Sequence, residues 1–273
     1  MFTLNCKGRL LTIDQPIVMG ILNINADSFF PGSRHQPGAR LLETAEKMIS
    51  DGATILDIGG QSTRPGSQWV DAATELSRVL PAIEAIHQRF PEVFVSIDTF
   101  YSEVAREAVQ AGACIVNDIS AGSMDDQLLN TVADLGVPYV LMHMQGTPQT
   151  MQQAPHYEDV TQEVLDFFIT KVNVLRRAGI KDIVIDPGFG FGKTTAHNFT
   201  LLKNLSAFQM LNLPILLGLS RKGMIYKTLH TNADGALNGT TVLNTIGLTA
   251  GASILRVHDV KEAVEAIKLM SNL

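Results

Sequence analysis

Cysteine is scarce in this chain of 273 residues, which holds only Cys6 and Cys114. Two cysteines so far apart in sequence do not form a disulfide framework, and no cysteine and histidine residues have the spacing of a structural zinc site. We therefore expect two reduced, partly buried thiols. A G-x-S-x-G motif is also missing, so the sequence gives no support to acyl transfer by a serine nucleophile.

Long apolar runs and an excess of positive charge are missing as well. No apolar run is long enough to span a membrane, and the N-terminus lacks the basic and apolar segments of a signal peptide. The formal net charge of −6 predicts no general attraction to nucleic acid or to an anionic membrane. We expect a cytoplasmic protein in which any anion is bound by a local basic site.

The sequence does contain a regular alternation of short apolar runs and stretches with helical periodicity. Residues 1–15 predict a hairpin that turns at Lys7 and Gly8. The apolar runs predicted to be strands are 17–22, 54–58, 93–97, 114–116, 139–142, 183–185, 215–219 and 254–257. The stretches predicted to be helices are 39–50, 72–89, 102–111, 127–135, 157–178, 200–210 and 260–270. Several end in a glycine suited to a left-handed C-cap, namely Gly52, Gly112, Gly136, Gly179 and Gly251.

Eight strand–helix units in about 270 residues have the number and length of a (β/α)8 TIM barrel. We therefore predict an α/β fold, a single (β/α)8 TIM barrel domain over residues 1–273 that carries an N-terminal β-hairpin. An open, doubly wound sheet is the structural alternative.

Polar residues follow every predicted strand, and in a TIM barrel these C-terminal strand ends form the rim that holds the chemistry. The first polar groups at the eight ends are Asn23, Gln61, Asp98, Asn117, His143, Asp186, Ser220 and His258. A role as helix N-cap would explain one or two polar residues near the ends, such as Asp118 or Asp259. It does not explain eight on one rim, so the set favours a binding or catalytic site.

The rim combines acidic and basic groups. Asp98, Asn117 and Asp186 suit a flat heterocycle with amidine-like N–H groups, and Phe189 is predicted to cover its face. The basic residues suited to a diphosphate or a carboxylate are Arg64, Arg221, Lys222, Arg256 and His258. Residues 220–222 also predict the start of a short helix whose free N–H groups favour an anion. Asn23 and phosphate oxygens are predicted to share Mg²⁺, which prefers few protein ligands.

The segment IVIDPGFGFGKT at residues 183–194 is close to two phosphate-binding loops but matches neither. A Walker A loop requires glycine where Pro187 stands, and a Rossmann fingerprint requires glycine where Lys193 stands. We interpret the segment as a strand that ends at Asp186 and continues into an aromatic–glycine loop.

A series of motifs stands at the predicted strand ends, in order along the chain. They are MGILN (19–23), DSF (27–29), DIGGQSTRPG (57–66), SIDT (96–99), NDI (117–119), LMHMQG (141–146), DPGFGFGK (186–193), SRK (220–222) and RVHDV (256–260). Together they resemble the dihydropteroate synthase family of pterin-binding TIM barrels over nearly the whole chain.

The resemblance implies an enzyme that condenses (7,8-dihydropterin-6-yl)methyl diphosphate with p-aminobenzoate. The products are 7,8-dihydropteroate and pyrophosphate, in tetrahydrofolate biosynthesis, and the displacement is dissociative. The expected partners are these small molecules and a second copy of the chain in a homodimer, with no nucleic acid and no membrane. The resemblance also implies that sulfonamides compete for the p-aminobenzoate pocket.

The resemblance also implies roles for individual residues. The catalytic residues are Asp98, Asp186, Lys222 and Arg256. The pterin is bound by Asp98, Asn117, Asp186 and Lys222, with Phe189 beside them. The diphosphate is bound by Thr63, Arg64, Arg256 and His258. The p-aminobenzoate is bound by Phe29, Thr63, Pro65, Ser220 and Arg221. Asn23 assists magnesium.

Three departures from the family pattern concern the second substrate. Asn25 and Ala26 stand where Thr-Pro is common, Gln61 stands where Glu is common, and Gly223 stands where Ser is common. They bear on p-aminobenzoate affinity and sulfonamide response more than on the reaction. Two other functions stay open at this point: a pterin-dependent methyltransferase barrel that serves a corrinoid protein, and a non-catalytic pterin-binding paralogue.

Overall fold

The computed structural model describes residues 1–24, 37–61 and 69–273. The chain begins with an antiparallel hairpin of β1 (Phe2–Cys6) and β2 (Arg9–Ile13). Lys7 and Gly8 form its turn with φ angles of 54° and 85°. The predicted hairpin and its turn are confirmed.

Within the described residues, eight parallel strands form one sheet. They are β3 (Ile17–Asn23), β4 (Ile55–Gly59), β5 (Phe94–Asp98), β6 (Ile115–Asp118), β7 (Tyr139–Met142), β8 (Ile183–Asp186), β9 (Leu216–Leu217) and β10 (Ile254–Val257). Their spatial order is β8-β7-β6-β5-β4-β3-β10-β9, and a parallel bridge between Ile185 and Ile215 joins the two ends of this order. The sheet therefore nearly closes into the predicted barrel, and the open, doubly wound alternative is wrong.

Helices lie between the strands. They are α1 (Pro37–Ser50), α2 (Ala72–Arg89), α3 (Ser102–Ala111), α4 (Leu128–Leu135), α5 (Val160–Arg177), α6 (Thr195–Lys203), α7 (Gly223–Thr228), α8 (Leu237–Thr249) and α9 (Val260–Met270). The stretch predicted as one helix at 200–210 is divided between α6 and a 3₁₀ helix at Leu205–Leu211. All five glycines predicted as C-caps have positive φ angles. In the part of the chain that the structure describes, no helix is long and apolar enough to cross a membrane.

Helix α8 was not predicted, and its sequence explains why. It contains threonine and glycine, which are poor helix formers. Its buried face consists of Thr240, Asn244 and Gly247, while the apolar Val242 and Ile246 are exposed, so the sequence shows no apolar stripe. Its threonine hydroxyls donate to carbonyls of the preceding turn, for example from Thr240 to Ala236 and from Thr245 to Thr241. Packing in the barrel therefore stabilises a segment whose sequence does not favour a helix.

The hairpin closes one end of the barrel. Its inward residues Leu4, Cys6, Leu11 and Ile13 pack in one buried cluster with Ile55, Ile115, Leu216 and Ile254, the first residues of four barrel strands. A larger buried cluster fills the layer between the strands and the surrounding helices. The hairpin thus covers the N-terminal strand ends, which leaves the C-terminal ends for a site.

Candidate active site

One row of the sheet brings four rim positions together. In register, Asn23 of β3 pairs with Gly59, Gly59 pairs with Asp98, and Asp98 pairs with Asn117. Parallel strands keep such neighbours about 5 Å apart, so the row presents an amide, a carboxylate and a second amide along one edge. Register therefore brings three of the predicted site residues together.

Arg256 and Asp57 form the centre of the site. The Arg256 Nε donates to Asp57 Oδ2 at 2.7 Å, and its Nη2 donates to Asp98 Oδ2 at 2.6 Å. Asn117 Nδ2 donates to the same Asp57 oxygen at 2.9 Å. The Asp57 side chain is fully buried, whereas Arg256 keeps 19% of its side chain exposed and Asp98 keeps 13%. This network fixes Asp98 and Asn117 relative to a basic group that remains accessible.

Burial and charge act against each other on these groups. Burial alone would lower the pKa of Arg256, but Asp57 and Asp98 more than offset it and raise that pKa above its ordinary value. Burial raises the pKa of Asp98 to about 7, against the opposing effect of Arg256. A cationic ligand beside Asp98 would favour its ionised form, because an opposite charge stabilises a carboxylate.

Asp57 was missed as a site residue, although the sequence contains a signal for it. It stands inside the apolar run TILDIG at residues 54–59, and a carboxylate in a buried strand requires a partner. The position of that partner, Arg256, 199 residues further along the chain, depends on closure of the barrel. Only the structure reveals the pairing.

Asp186 and Lys222 form the second charged pair of the site. Asp186 ends β8 and accepts a hydrogen bond from the Gly188 N–H at 2.8 Å. A Cβ atom added to Gly218 would lie 3.6 Å from Asp186 Oδ2 and 3.8 Å from Lys222 Nζ. The missing side chain of Gly218 therefore leaves a small space that both charged groups border.

Burial acts on both members of this pair as well. It raises the pKa of Asp186, while the Lys222 ammonium opposes the rise. Burial lowers the pKa of Lys222 to about 8, against the opposing effect of Asp186. Lys222 also donates to the Phe189 carbonyl. The backbone of the aromatic–glycine loop thereby holds the ammonium beside the carboxylate.

The aromatic residue beside these charges is Phe191 rather than Phe189. The side chain of Phe189 is fully buried in the main core, so the prediction that it covers the face of a ligand is wrong. The ring of Phe191 is partly buried, and its centroid lies 4.6 Å from Lys222 Nζ. The alternating loop sequence contains no signal for this choice, because loop dihedral angles decide which ring faces inward.

A small apolar cluster accompanies Phe191 at the rim. Its buried members are Phe100, Ile119 and Met142, and Met144 packs against them. These residues follow or end strands β5, β6 and β7. An apolar surface next to the carboxylates is what a flat aromatic ligand requires.

Lys193 holds the aromatic–glycine loop against the next loop. Only 2% of it is exposed, and its Nζ lies 2.9 Å from His143 Nδ1, 2.9 Å from the Gly188 carbonyl oxygen and 3.1 Å from the Phe191 carbonyl oxygen. Burial, together with Lys193, lowers the pKa of His143 to about 2, so this histidine is neutral. Lys193, which resembled a P-loop lysine in the sequence, therefore acts as a structural clamp.

Ser220 and Arg221 are engaged within the protein. Ser220 Oγ lies 2.9 Å from His258 Nδ1 and accepts from the His258 N–H at 3.1 Å. Arg221 donates to both Asp259 oxygens, at 2.8 Å from Nε and 2.7 Å from Nη2. The Arg221 guanidinium is therefore already paired, which does not support its predicted contact with p-aminobenzoate. The short helix expected after residues 220–222 is present as α7.

Two aspartates predicted as possible helix N-caps have other partners. Asp118 accepts from the N–H groups of Ser120 and Gly122 and from the Tyr139 hydroxyl. It therefore fixes a turn, and no described helix begins there, so that explanation is wrong for Asp118. Asp259 precedes α9, but its side chain binds Arg221 and makes no cap hydrogen bond.

Several predicted residues lie outside the described part of the chain. They are Phe29, Thr63, Arg64 and Pro65, together with the departures at Asn25 and Ala26. Gln61 is described, and its Nε2 donates to Glu75 Oε2 at 2.9 Å. The roles of the four site residues stay predictions.

Asn23 is the predicted contact to magnesium. It is exposed at the end of β3, and its Oδ1 lies 3.7 Å from the place where a Gly59 Cβ would stand, as does Asp98 Oδ2. Among the described residues, no group of three or more histidine, cysteine, aspartate or glutamate side chains suits a metal ion. This donor set fits Mg²⁺ only if ligand oxygens and water fill most of its coordination positions, as Mg²⁺ commonly requires.

Comparison with known proteins adds to this geometry. The sequence matches the family described as "Pterin binding enzyme" over residues 19–258. It is 47% identical over 266 residues to the dihydropteroate synthase of Escherichia coli (strain K12), which covers 97% of this chain and 94% of that protein.

Solved structures are similar over the whole chain. The Yersinia pestis dihydropteroate synthase, solved with a sulfonamide drug complex, has a TM-score of 0.92 and 42% identity, and the match covers 99% of this chain and 98% of that one. The Xanthomonas albilineans dihydropteroate synthase in complex with 7,8-dihydropteroate has a TM-score of 0.88 and 40% identity, with the same coverage of 99% and 98%.

Proposed function

Because this chain belongs to the pterin-binding enzyme family and, within it, to the dihydropteroate synthases, we propose that its barrel rim binds and joins the two substrates of that reaction. The protein is an enzyme that transfers a pterinylmethyl group from a pterin diphosphate to p-aminobenzoate. The products are 7,8-dihydropteroate and pyrophosphate. The family predicted from the motifs is confirmed, and the methyltransferase and non-catalytic alternatives lose their support.

The pterin ring is held between the acidic groups and the apolar cluster. Asp98, Asn117 and Asp186 supply acceptors to the N–H groups of the ring, and Lys222 donates to its carbonyl side. Phe191 replaces Phe189 as the aromatic contact. The observation that carries this proposal is that Asp186 Oδ2 and Lys222 Nζ both border the small space beside Gly218.

The diphosphate lies toward Arg256. This guanidinium binds Asp57 and Asp98 yet remains 19% exposed, so it can meet an anion without losing its fixed position. We infer that the same anion site also contains Thr63, Arg64 and His258. Asn23 would hold Mg²⁺ together with diphosphate oxygens, and the ion would supply positive charge to the leaving group.

The reaction proceeds by dissociative displacement. The bond between the pterinylmethyl carbon and the diphosphate oxygen breaks first, and Asp98 and Asp186 stabilise the positive charge that spreads over the pterin. Arg256 stabilises the departing diphosphate. The amine of p-aminobenzoate then attacks the carbon, and positioning rather than a strong base promotes this step.

The second substrate and the assembly complete the proposal. Phe29, Thr63, Pro65 and Ser220 contact p-aminobenzoate, and sulfonamides compete there. Gly223 lies at the start of α7, where backbone N–H groups favour the carboxylate. We place the enzyme in the cytoplasm as a homodimer.

Pyrophosphate release tests the function. With pterin diphosphate, p-aminobenzoate and Mg²⁺ present, we expect the wild-type protein to release pyrophosphate. Asp186→Ala and Arg256→Ala should each lower kcat/KM by about 100-fold or more, since each removes a charge that is stabilising mainly in the transition state.

The matched controls are Asp126→Ala and Arg176→Ala, which remove exposed charges outside the site. Both should keep wild-type activity. Full activity in folded Asp186→Ala and Arg256→Ala proteins would contradict the assignment of the site.

A further inference from the structure

The two cysteines lie at the end of the barrel opposite the active site. Cys6 is the last residue of β1, and Cys114 immediately precedes β6. Both are free thiols, 3% and 8% exposed, in the buried cluster between the hairpin and the barrel strands. The hairpin and β6 thus each bring one cysteine to the same contact surface.

The neighbours of each cysteine fix this placement. Arg9, the cross-strand partner of Cys6, lies over the ring of Phe94 at 3.8 Å. The Cys114 N–H donates to the carbonyl of Val95, the residue after Phe94. Lys7, the residue after Cys6, donates from Nζ to the Val109 carbonyl of α3 at 2.7 Å. Contacts on both sides of Cys6 therefore reach β5 and α3, the two elements that precede Cys114 in the chain.

Cys6 and Cys114 lie in this one cluster, close enough for each thiol to shift the pKa of the other. The Cys6 thiol lowers the pKa of Cys114, while the Cys114 thiol and burial raise the pKa of Cys6. Cys114 is therefore the sulfur that more readily becomes a thiolate, and Cys6 keeps its proton. A thiolate beside a thiol is the arrangement from which a disulfide forms.

We propose that Cys6 and Cys114 are an oxidisable dithiol site that takes small peroxides and forms a disulfide between the N-terminal hairpin and strand β6. The Cys114 thiolate attacks one peroxide oxygen, which gives a sulfenic acid and, after protonation, water. The Cys6 sulfur then attacks the Cys114 sulfur, and a second water leaves. Two thiols and one hydrogen peroxide thus give one disulfide and two waters.

The disulfide would close a loop of more than one hundred residues, from the hairpin to β6. Constraining a loop of this length in the unfolded chain is among the larger effects a single disulfide has on stability. The expected result is a rise of about 5–10 °C in the midpoint of thermal unfolding, since the chain is large. Dithiothreitol should abolish the rise.

The test treats the full-length protein with hydrogen peroxide under native conditions and counts thiols after denaturation. Both thiols should disappear together, the intact mass should fall by two hydrogens, and a proteolytic digest should contain the peptides of Cys6 and Cys114 joined. Cys6→Ser and Cys114→Ser are the controls, and neither should show the mass loss or the rise in unfolding midpoint.

Comparison of oxidised and reduced wild-type protein needs no variant, so the test holds even if a serine variant folds poorly. Three results would overturn the proposal. In the first, both thiols remain although an added peptide with an exposed thiol is fully oxidised by the same peroxide. In the second, each sulfur is oxidised but no cross-link forms, and in the third, a disulfide forms only between two chains.

Discussion

At the scale of single residues, Asp57 holds two site residues in place through hydrogen bonds. Its Oδ2 accepts from both Arg256 and Asn117, while its Oδ1 has no hydrogen-bond partner within the described structure. A fully buried carboxylate is costly unless it is paired, and its pairing with Arg256 and Asn117 gives Asp57 a positioning role. It holds the residues that meet the ligand and does not itself need to touch one.

Removing this carboxylate should destabilise the folded protein. We expect Asp57→Ala to lower the free energy of unfolding by about 3–5 kcal/mol, because it leaves the partly buried Arg256 guanidinium with one carboxylate partner in place of two. Urea unfolding measures the change, and Asp126→Ala, at an exposed position, is the control. A loss under about 1 kcal/mol would mean that Asp98 alone neutralises Arg256.

Glu75 is the second buried acid behind the rim. It is fully buried, accepts from Gln61, and has an Oε1 without a partner in the described structure. Burial, assisted by Asp98, raises its pKa to about 8 from an ordinary value of 4.5. The protonated, neutral form of Glu75 is therefore the one that the fold favours. Its stabilising contribution to the free energy of unfolding is fully present below pH 4.5 and is lost as the pH rises through about 8.

Glu75→Gln should remove this pH dependence, since an amide stays neutral. Between pH 5 and pH 9 we expect the variant to gain about 2–4 kcal/mol in unfolding free energy relative to wild type. Denaturant unfolding at both pH values measures the gain. Glu84→Gln, at an exposed position on the same helix, should show none. If the difference in unfolding free energy between Glu75→Gln and wild type is the same at pH 5 and pH 9, Glu75 is already ionised in the folded protein at pH 5.

At the scale of elements, the aromatic–glycine loop depends on close backbone approach. Gly188 has a φ angle of 69°, and a Cβ added there would lie 1.9 Å from the His143 carbonyl oxygen. Lys193 then joins the same carbonyl region to the loop. The loop can therefore hold Phe191 and Lys222 in place only while it lies directly on its neighbour.

Gly188→Ala tests this dependence, and Gly136→Ala is a matched control. Gly136 has a similar φ of 63°, but a Cβ added there would have no atom within 4 Å, so its variant isolates the backbone strain. We expect a loss of about 1 kcal/mol for Gly136→Ala and more than about 3 kcal/mol for Gly188→Ala. Thermal unfolding compares them. Equal losses would mean that the contact with His143 is unimportant.

Much of the fold followed from the sequence, because strand runs, glycine caps and polar strand ends are local signals. Asp98, Asn117 and Asp186 lie at the rim as expected, since parallel strands bring their C-terminal ends to one edge, and their roles stay predictions. The pairing of Arg221 with Asp259 and the burial of Phe189 were not predictable. Both depend on which side chain a distant loop places nearby, and sequence periodicity contains no information about that.

At the scale of the whole molecule, one side of the barrel carries an exposed apolar surface. Val242 and Ile246 lie one turn apart on α8 and are 49% and 43% exposed. Leu229 and Leu269, on the neighbouring elements, are 52% and 73% exposed. Exposed apolar side chains grouped in this way are typical of an interface, and we assign this one to the proposed homodimer.

Charged substitutions on this surface test the assembly. The wild-type protein should sediment with twice the chain mass of 29.6 kDa, and Val242→Asp combined with Ile246→Asp should give the single-chain mass. A charge buried in an apolar interface without a partner disfavours association. Val174→Asp, equally exposed at 43% on α5, should stay dimeric. A dimer that survives the double substitution would place the interface elsewhere.

The register row of Asn23, Gly59, Asp98 and Asn117 limits how the gene can change. Side chains alternate between the two faces of a strand. Deletion of one residue from the start of β5 would therefore turn Asp98 away from the barrel interior and toward the outer helices, and the other side chains of β5 would change face with it. The register therefore disfavours insertions and deletions within these strands and does not restrict the length of the loops that follow them. Libraries that seek new substrates should vary loop length there and leave strand length untouched.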